Sequence, residues 1–160
     1  MTSSDKPYNG PEVANPCRPR VVPEWTDYND HFNVAYYARA FDMAAQAFRS
    51  EAGASPAPPF RTHKSRIDYL QEIPGGTVLT LTSQVISAGP DGLHLLQALY
   101  AGETGYLAAI EERVDVPYDP DNGAVSTLDE AGFRAFADIA ERHSGLPIPD
   151  GWGGLKQAAA

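Results

Sequence analysis

The stretch that decides the fold begins Val22-Pro23-Glu24-Trp25-Thr26-Asp27-Tyr28-Asn29-Asp30-His31-Phe32-Asn33 and runs directly into a segment with the period of a helix. A proline ends a short apolar run, and a loop then gathers acidic, amide, imidazole and aromatic side chains. Loops held by rigid elements are where binding and catalytic groups concentrate. We therefore expect the functional site in this loop, with the rest of the chain built to hold it.

The segment from residue 34 to about residue 51 is predicted to be the main helix. Its apolar residues recur at spacings of three and four, and they are Val34, Tyr37, Ala38, Phe41, Ala44, Ala45 and Phe48. Asn33 or Asp30 could cap the free amides at its start, and Gly53 with the prolines beyond it would end it. Its broad apolar face suits packing against a sheet.

Short apolar runs separated by turn residues predict five strands. They cover residues 20–22, 60–73, 77–87, 93–101 and 106–116. Pro23 ends the first, and tight turns make the other four an antiparallel meander. A second helix is predicted over residues 129–143. The expected fold class is α+β, an antiparallel sheet of about five strands wrapped round one long central helix, with an extra C-terminal helix.

The length of 160 residues and the 42% hydrophobic content predict one globular domain. We expect a flexible N-terminal arm over 1–18, the main domain over 19–145 and a C-terminal arm or disordered tail over 146–160, because prolines or glycines crowd both ends. No apolar run reaches the roughly 20 residues that cross a bilayer, and no basic-then-apolar leader opens the chain. The single Cys17 suits a reducing compartment, so a cytoplasmic protein without a membrane partner is expected.

The net charge of −9 argues against nucleic acid as a partner, because that binding needs clustered positive charge. Arg61, Lys64 and Arg66 nevertheless lie close together and could receive a phosphorylated ligand, or could form a solvated face that balances nearby acids. The histidines are scattered without a metal-binding spacing, so neither a metal site nor a cofactor is expected.

The pattern Asp27-x-x-x-His31-x-Asn33-x-x-x-Tyr37 resembles the signature of acyl-CoA thioesterases of the hotdog fold, in the 4-hydroxybenzoyl-CoA thioesterase-like branch. That family usually reads Asp, two residues, Gly, His, any residue, Asn, and here Asp30 takes the glycine position. The segments Tyr69-Leu70-x-Glu72 and Leu146-Pro147-x-Pro149 resemble a subgroup that hydrolyses betainyl-CoA. The likeness covers roughly residues 20 to 150.

This resemblance implies hydrolysis of an acyl-CoA thioester, with coenzyme A as part of the substrate and a homodimer or homotetramer as the working unit. It implies that Asp27 is the base or nucleophile and that a backbone N–H near Val34 donates to the oxyanion. His31 and Asn33 are further catalytic candidates. Taken as residues alone, Asn33 fits a helix cap better, and His31 fits a residue that orients the loop.

Aromatic rings near carboxylates hold quaternary ammonium groups, and the loop carries both kinds of side chain. The residues concerned are Trp25, Tyr28, Phe32, Tyr36 and Tyr37 beside Asp27 and Asp30. A cationic acyl group such as betainyl is therefore one interpretation, and rings that serve the core or a dimer contact are the other.

Asp30 adds bulk and negative charge where the family has glycine. This departure leaves open a non-catalytic module that binds acyl-CoA without hydrolysing it. A hotdog hydratase or dehydratase is a further alternative, although the sequence shows no histidine and acid paired for that chemistry.

Overall fold

The computed structural model describes residues 17–52, 59–102 and 105–155. Short 3-10 turns at Pro23–Trp25 and Val34–Tyr36 lead into helix α1, Tyr37–Ala52. The strands are β1 Phe60–Tyr69, β2 Leu79–Gly89, β3 Gly92–Ala101 and β4 Leu107–Pro117, and helix α2, Glu130–His143, follows them. The α+β class, both helices and the four later strands are confirmed with small shifts at their ends. The predicted N-terminal arm lies outside the described residues, apart from positions 17 and 18.

The predicted meander is wrong about one pair of strands. The order in the sheet is β1-β4-β3-β2, so β1 and β2 occupy opposite edges. Backbone bonds at both ends of β1 join it to β4 in antiparallel register, from Leu70 N–H to Ala108 O (2.8 Å) and from Tyr118 N–H to Pro59 O (3.0 Å). The Pro74-Gly75-Gly76 turn is therefore part of a longer connection and closes no hairpin.

The predicted first strand is reduced to two isolated bridges along the edge of β2. Cys17 pairs with Leu81 and Arg20 pairs with Val78, and the Leu79 N–H donates to Pro19 O at 2.8 Å. Prolines explain the difference, because a residue without an N–H cannot donate to a ladder and so breaks its continuity. The segment still covers part of an exposed strand edge, which would otherwise invite pairing with another chain.

The described residues form two compact units, with residues up to 47, 67–83 and 97–111 in the first and 48–66, 84–96 and those from 112 onward in the second. In the first unit, Phe41 and Ala44 of α1 belong to one apolar cluster with Leu99 of β3 and Ala108 of β4. All four side chains are almost fully buried. Burial of this face accounts for the helical period read from the sequence.

A buried amide fixes α1 on the sheet within the first unit. Gln97 on β3 is fully buried, and in the orientation that matches donors to acceptors its nitrogen donates to Phe41 O (3.2 Å) and Glu111 Oε2 (2.9 Å). Its oxygen accepts from Ala45 N–H (3.2 Å) and from the Ser83 hydroxyl (2.9 Å). Since Phe41 O and Ala45 N–H are partners along a helix, the amide bridges one step of the helical ladder.

The second unit holds a buried ion network. Arg49 and Arg113 both donate to the fully buried carboxylate of Asp115, at 2.5 Å and 2.9 Å, and Arg113 also donates to the Thr62 hydroxyl. Removing one partner of such a network typically costs about 3–5 kcal/mol, because a buried charge loses its compensation. The network therefore locks the C-terminal end of α1 to β4 and β1.

Part of the predicted disordered tail is bonded to the second unit. Buried Glu112 accepts hydrogen bonds from the backbone N–H groups of Gly153 (3.0 Å) and Leu155 (2.8 Å), and its carboxylate also contacts His94 Nε2 at 2.6 Å. The buried carboxylate thus gains the partners that burial demands. Residues 156–160 lie outside the described part of the chain.

The last residue of α2 makes stability depend on pH. The Val85 N–H, on the edge strand β2, donates to His143 Nδ1 at 3.0 Å, which requires that nitrogen to be unprotonated. Burial, and then the nearby Arg142, lower the pKa of His143 from its ordinary 6.5. This contribution to stability is therefore complete above the unfolded pKa and is lost as pH falls through the folded one.

We expect His143→Ala to lower the free energy of unfolding by about 1 kcal/mol at pH 8, with a smaller difference at pH 5. Urea unfolding at several pH values measures this. The control is His63→Ala, because His63 is exposed and should show neither effect. A His143→Ala penalty that stayed constant from pH 8 to pH 5 would contradict the assignment.

Candidate active site

The loop predicted to carry the chemistry is a small hairpin in the first unit. Thr26 and Phe32 form an antiparallel bridge, the Asp27 N–H donates to His31 O at 2.8 Å, and the Asn33 N–H donates to Trp25 O at 2.8 Å. The 3-10 turn Pro23–Trp25 enters this hairpin, and the turn that starts the main helix leaves it. Every side chain of the motif is thus presented from a backbone that is hydrogen-bonded on both arms.

The glycine turn between β1 and β2 receives this hairpin. The Phe32 N–H donates to Ile73 O (2.7 Å), and the Gly75 N–H donates to Asp30 O (2.8 Å). A Cβ at Gly75 would lie 3.0 Å from Asp30 Oδ1 and 3.1 Å from Thr26 Cγ2, so a side chain there would require these neighbours to shift by a few tenths of an ångström. The Pro74-Gly75-Gly76 turn, which the sequence analysis assigned to a β-hairpin, therefore forms the seat on which the motif hairpin packs.

Asp27 is half-buried, and its two carboxylate oxygens differ. Oδ1 accepts hydrogen bonds from the backbone N–H groups of Asn29 (2.9 Å) and His31 (3.1 Å), which is an Asx-turn arrangement. Within the described residues, nothing donates to Oδ2. One oxygen is thus used to build the loop, and the other remains available to a water molecule or a carbonyl carbon.

The start of the main helix leaves one N–H group unused. The Asn33 side chain accepts from the Ala35 N–H at 3.0 Å, and Asn33 O accepts from the Tyr36 N–H at 2.9 Å. The prediction of Asn33 as a helix cap is confirmed. The Val34 N–H has no acceptor within the described part of the chain, and its side chain is 61% exposed. An N–H at a helix start favours a negatively charged atom in front of it.

Asp30 adopts the backbone conformation that the family's glycine would supply. Its φ is +59°, in the left-handed region, and it is the only non-glycine residue with a positive φ in the described ranges 17–52, 59–102 and 105–155. Aspartate tolerates this region better than most residues, because its short polar side chain can bond locally. Its side chain is exposed, and the predicted role as an alternative helix cap falls instead to Asn33.

His31 points toward an acidic partner that the sequence analysis gave no role. Its Nδ1 lies 3.4 Å from Glu72 Oε2, and the side chains are 34% and 79% exposed. The backbone of His31 meanwhile joins the hairpin to Asp27. Glu72 follows β1, so no local spacing in the sequence could have paired it with the loop.

Four aromatic rings of the loop form one connected cluster, in which Trp25 also lies 6.0 Å from Phe32, and Tyr28 stands apart. Trp25 stacks on Tyr36 with ring centroids 6.0 Å apart, and Arg39 lies 5.9 Å from its centroid. Tyr28 is 95% exposed and makes no ring contact within the described residues. Tyr37 is buried in the core and stacks on Phe32 at 4.2 Å. Trp25 and Tyr37 therefore fit the second interpretation, in which the aromatic rings pack into the core.

Tyr37 also belongs to a second aromatic group that the sequence did not indicate. The Tyr69 ring meets it edge-on at 5.0 Å, and the Tyr106 hydroxyl donates to Glu72 O at 2.5 Å. Burial, and then the nearness of Tyr106, Tyr69 and Glu72, raise the pKa of Tyr37 to about 12. Three tyrosines from distant parts of the chain therefore lie around one glutamate.

The three basic residues predicted to meet coenzyme A lie on β1 in the second unit. Strand alternation directs Lys64 and Arg66 to one face and Arg61 to the other, so they form no single patch. Arg61 donates to Gly123 O (3.1 Å), and Arg66 donates to Gly151 O (2.7 Å) and lies 4.1 Å from the centroid of the Trp152 ring. Their proposed ligand role remains a prediction.

Within the described ranges, no group of three acidic, histidine or cysteine side chains is arranged to hold a metal ion. No described helix combines the length and apolar character needed to span a membrane.

Residues 21–142 match the family model of the thioesterase-like superfamily. This match covers most of the chain, so the protein belongs to that superfamily and is a thioester hydrolase. The fold agrees, because a Staphylococcus aureus protein solved in complex with CoA aligns with a TM-score of 0.74 at 21% identity, over 91% of this chain and 98% of that one. The predicted hotdog fold is confirmed.

Two curated relatives indicate which subgroup of the superfamily the chain resembles. A betainyl-CoA thioesterase from Pseudomonas aeruginosa is 28% identical over 140 residues, which cover 83% of this chain and 87% of the relative. An L-carnitine dehydrogenase/betainyl-CoA thioesterase from Ruegeria pomeroyi is 30% identical over 146 residues, and the match spans 84% of this chain but 28% of that longer protein. The likeness to the betainyl-CoA subgroup drawn from the sequence is thus confirmed.

The left-handed backbone of Asp30 predicts a specific pattern of stability. Asp30→Gly should keep or slightly raise the free energy of unfolding, whereas Asp30→Val should lower it by about 1–2 kcal/mol, because a β-branched residue is strained at a positive φ. Urea unfolding measures both. The control is Asn29→Val, at the neighbouring exposed position, where φ is not positive. Equal losses in the two valine variants would show that φ is not the cause.

Proposed function

We propose that the protein hydrolyses an acyl-CoA thioester to a free acid and coenzyme A, and that the acyl group is betainyl or a similar small cationic group. The observation that carries the proposal is the hairpin in which Asp27 keeps one carboxylate oxygen unbonded while the helix start leaves the Val34 N–H unbonded. A carboxylate and an N–H donor are the two groups that thioester hydrolysis needs.

Asp27 acts as general base or as nucleophile. As a base, Oδ2 takes a proton from a water molecule, which adds to the thioester carbonyl; the tetrahedral intermediate then breaks its C–S bond and releases the coenzyme A thiolate, which takes up the proton. As a nucleophile, the same oxygen attacks the carbonyl and expels the coenzyme A thiolate, and water hydrolyses the resulting mixed anhydride to the free acid and the carboxylate of Asp27. Oδ1 is held by two backbone N–H groups in either case, so the reacting oxygen has a fixed direction. Such positioning lowers the entropic part of the barrier.

The Val34 N–H stabilises the oxyanion that forms when the carbonyl is attacked. Its position in front of the main helix adds the favourable field of the helix start to the hydrogen bond. Asn33 supports this role by capping the neighbouring Ala35 N–H, which leaves the Val34 N–H as the donor that faces outward. His31 orients the loop through its backbone bond to Asp27.

The acyl group and the coenzyme A are assigned on separate grounds. The curated relatives act on betainyl-CoA by their names. Exposed Asp30 lies in the same hairpin as Asp27, and the Glu72 carboxylate lies 3.4 Å from His31 of that hairpin, so the local charge favours a cationic acyl group. A structural neighbour was solved with CoA, and the basic side chains of Arg61, Lys64 and Arg66 remain candidates for its phosphates. We also propose that the protein is cytoplasmic and works as a homodimer or homotetramer.

Asp27→Asn is expected to lower kcat for betainyl-CoA by about 10²- to 10⁴-fold, because the amide is neither a base nor a nucleophile. The hairpin should persist, since the asparagine Oδ1 still accepts both backbone N–H groups. Release of free thiol from a panel that includes betainyl-CoA and octanoyl-CoA measures the change.

The matched control for that variant is Asp138→Asn on the exposed face of α2, which should retain full turnover. Faster hydrolysis of octanoyl-CoA than of betainyl-CoA by the unmodified protein would remove the cationic acyl assignment. Turnover that survives Asp27→Asn would remove the catalytic one.

Val34→Pro deletes the proposed oxyanion donor alone. Proline is tolerated in the first position of a helix, and the preceding Asn33 already has the extended backbone (φ −71°, ψ 133°) that a following proline requires. We expect kcat to fall by about 10²- to 10³-fold with little change in melting temperature. Val34→Ala keeps the N–H and should keep most of the turnover. Wild-type kcat in a folded Val34→Pro protein would exclude this N–H as the donor.

A further inference from the structure

Three tyrosines form an aromatic surface beside the candidate active site. Tyr37 is buried, and the ring of Tyr69 stands on it at 5.0 Å with an interplanar angle of 84°. Tyr106 is tied to the same place by its hydroxyl, which donates to Glu72 O. Tyr69 and Tyr106 are 50% and 39% exposed. Part of this aromatic surface is therefore fixed by packing, and part remains open to a ligand.

Glu72 gives this surface a negative charge. Its side chain is 79% exposed, and within the described residues its carboxylate contacts His31 Nδ1 at 3.4 Å. No lysine or arginine of that part of the chain neutralises it. Burial raises the pKa of the Tyr37 phenol, and the nearby Tyr106, Tyr69 and Glu72 raise it further.

A quaternary ammonium group is the chemical group that such a surface fits best. It cannot donate a hydrogen bond, so a protein holds it by the negative faces of aromatic rings and by a nearby carboxylate. A neutral acyl chain would gain from the rings but not from the charge.

The aromatic surface is linked to Asp27 by two short contacts. Phe32 stacks on Tyr37 at 4.2 Å, and its neighbour His31 donates its backbone N–H to Asp27 Oδ1 while its ring faces Glu72. We propose that Tyr69, Tyr106 and Glu72, with the buried Tyr37 packed behind Tyr69, form the subsite that binds the quaternary ammonium head of the acyl group. This inference rests on the thioesterase function proposed above. The interpretation from the sequence, in which Trp25, Tyr28, Phe32, Tyr36 and Tyr37 hold the cationic group, stays a prediction.

The test compares two substrates of the same shape. Betainyl-CoA carries a trimethylammonium head, and 3,3-dimethylbutanoyl-CoA carries the uncharged tert-butyl group in its place. The ratio of kcat/KM for the charged thioester to that for the neutral one isolates the recognition of charge. We expect Glu72→Gln and Tyr69→Leu each to lower this ratio by about 5- to 30-fold. Both side chains are at least half exposed, so neither change removes a core residue.

Glu24→Gln is the matched control, because it removes one exposed carboxylate from the adjoining 3-10 turn and should leave the ratio as in the unmodified protein. A ratio that is unchanged in Glu72→Gln and Tyr69→Leu would overturn the subsite. An equal fall in Glu24→Gln would do the same, since general charge and no particular site would then be responsible.

Failure of the hydrolytic function can be told apart from failure of the subsite. If the unmodified protein hydrolyses neither thioester, the proposed function is wrong, and calorimetric binding of the same two thioesters then tests the subsite directly. Tighter binding of betainyl-CoA that disappears in Glu72→Gln would support the subsite. Equal binding of the two thioesters by the unmodified protein would overturn it.

Discussion

The candidate site depends on a pair of backbone hydrogen bonds between the motif hairpin and the turn after β1. The Phe32 N–H and the Asp30 carbonyl bond to Ile73 O and the Gly75 N–H, and this pairing fixes the hairpin on the fold. Asp30 must then adopt a left-handed backbone, and the hairpin closes over the Asp27 carboxylate. The direction of Asp27 Oδ2, the oxygen proposed to react, is thus set by main-chain geometry.

Negative charge is concentrated around the motif hairpin. The hairpin carries Asp27 and Asp30, and exposed Glu72 lies against His31 of the same hairpin. Under the proposed function, this charge would favour a thioester with a cationic acyl head over one with a neutral or anionic head. Electrostatic complementarity of this kind contributes to specificity more than to the chemical step.

Features set by short sequence spacing were predictable, and features set by distant contacts were not. The apolar period from Val34 to Phe48 predicted the main helix, and Asn33 was predicted as its cap. Both features depend on residues that are close together along the chain. The Pro74-Gly75-Gly76 turn looks the same whether it closes a hairpin or receives another loop. The residues that lie near the turn in space decide between these two roles. The sequence therefore predicted that β1 pairs with β2, whereas it pairs with β4. Tyr106 and Glu72 are 34 residues apart, and no periodicity connects them. The sequence therefore did not predict the group of three tyrosines, because strand pairing brings them together.

The buried amide of Gln97 has a consequence for the order in which the chain is made. It joins Phe41 and Ala45 to Ser83 and Glu111, so the helix that carries the Val34 N–H cannot reach its final bonds until β4 has left the ribosome. Contacts between such distant residues slow folding, because a long loop must close before they stabilise anything. The motif hairpin is among the first described parts to be synthesised and must wait for the strands that hold it. During that interval the apolar face of the helix is exposed, and transiently exposed apolar surface of this kind favours aggregation.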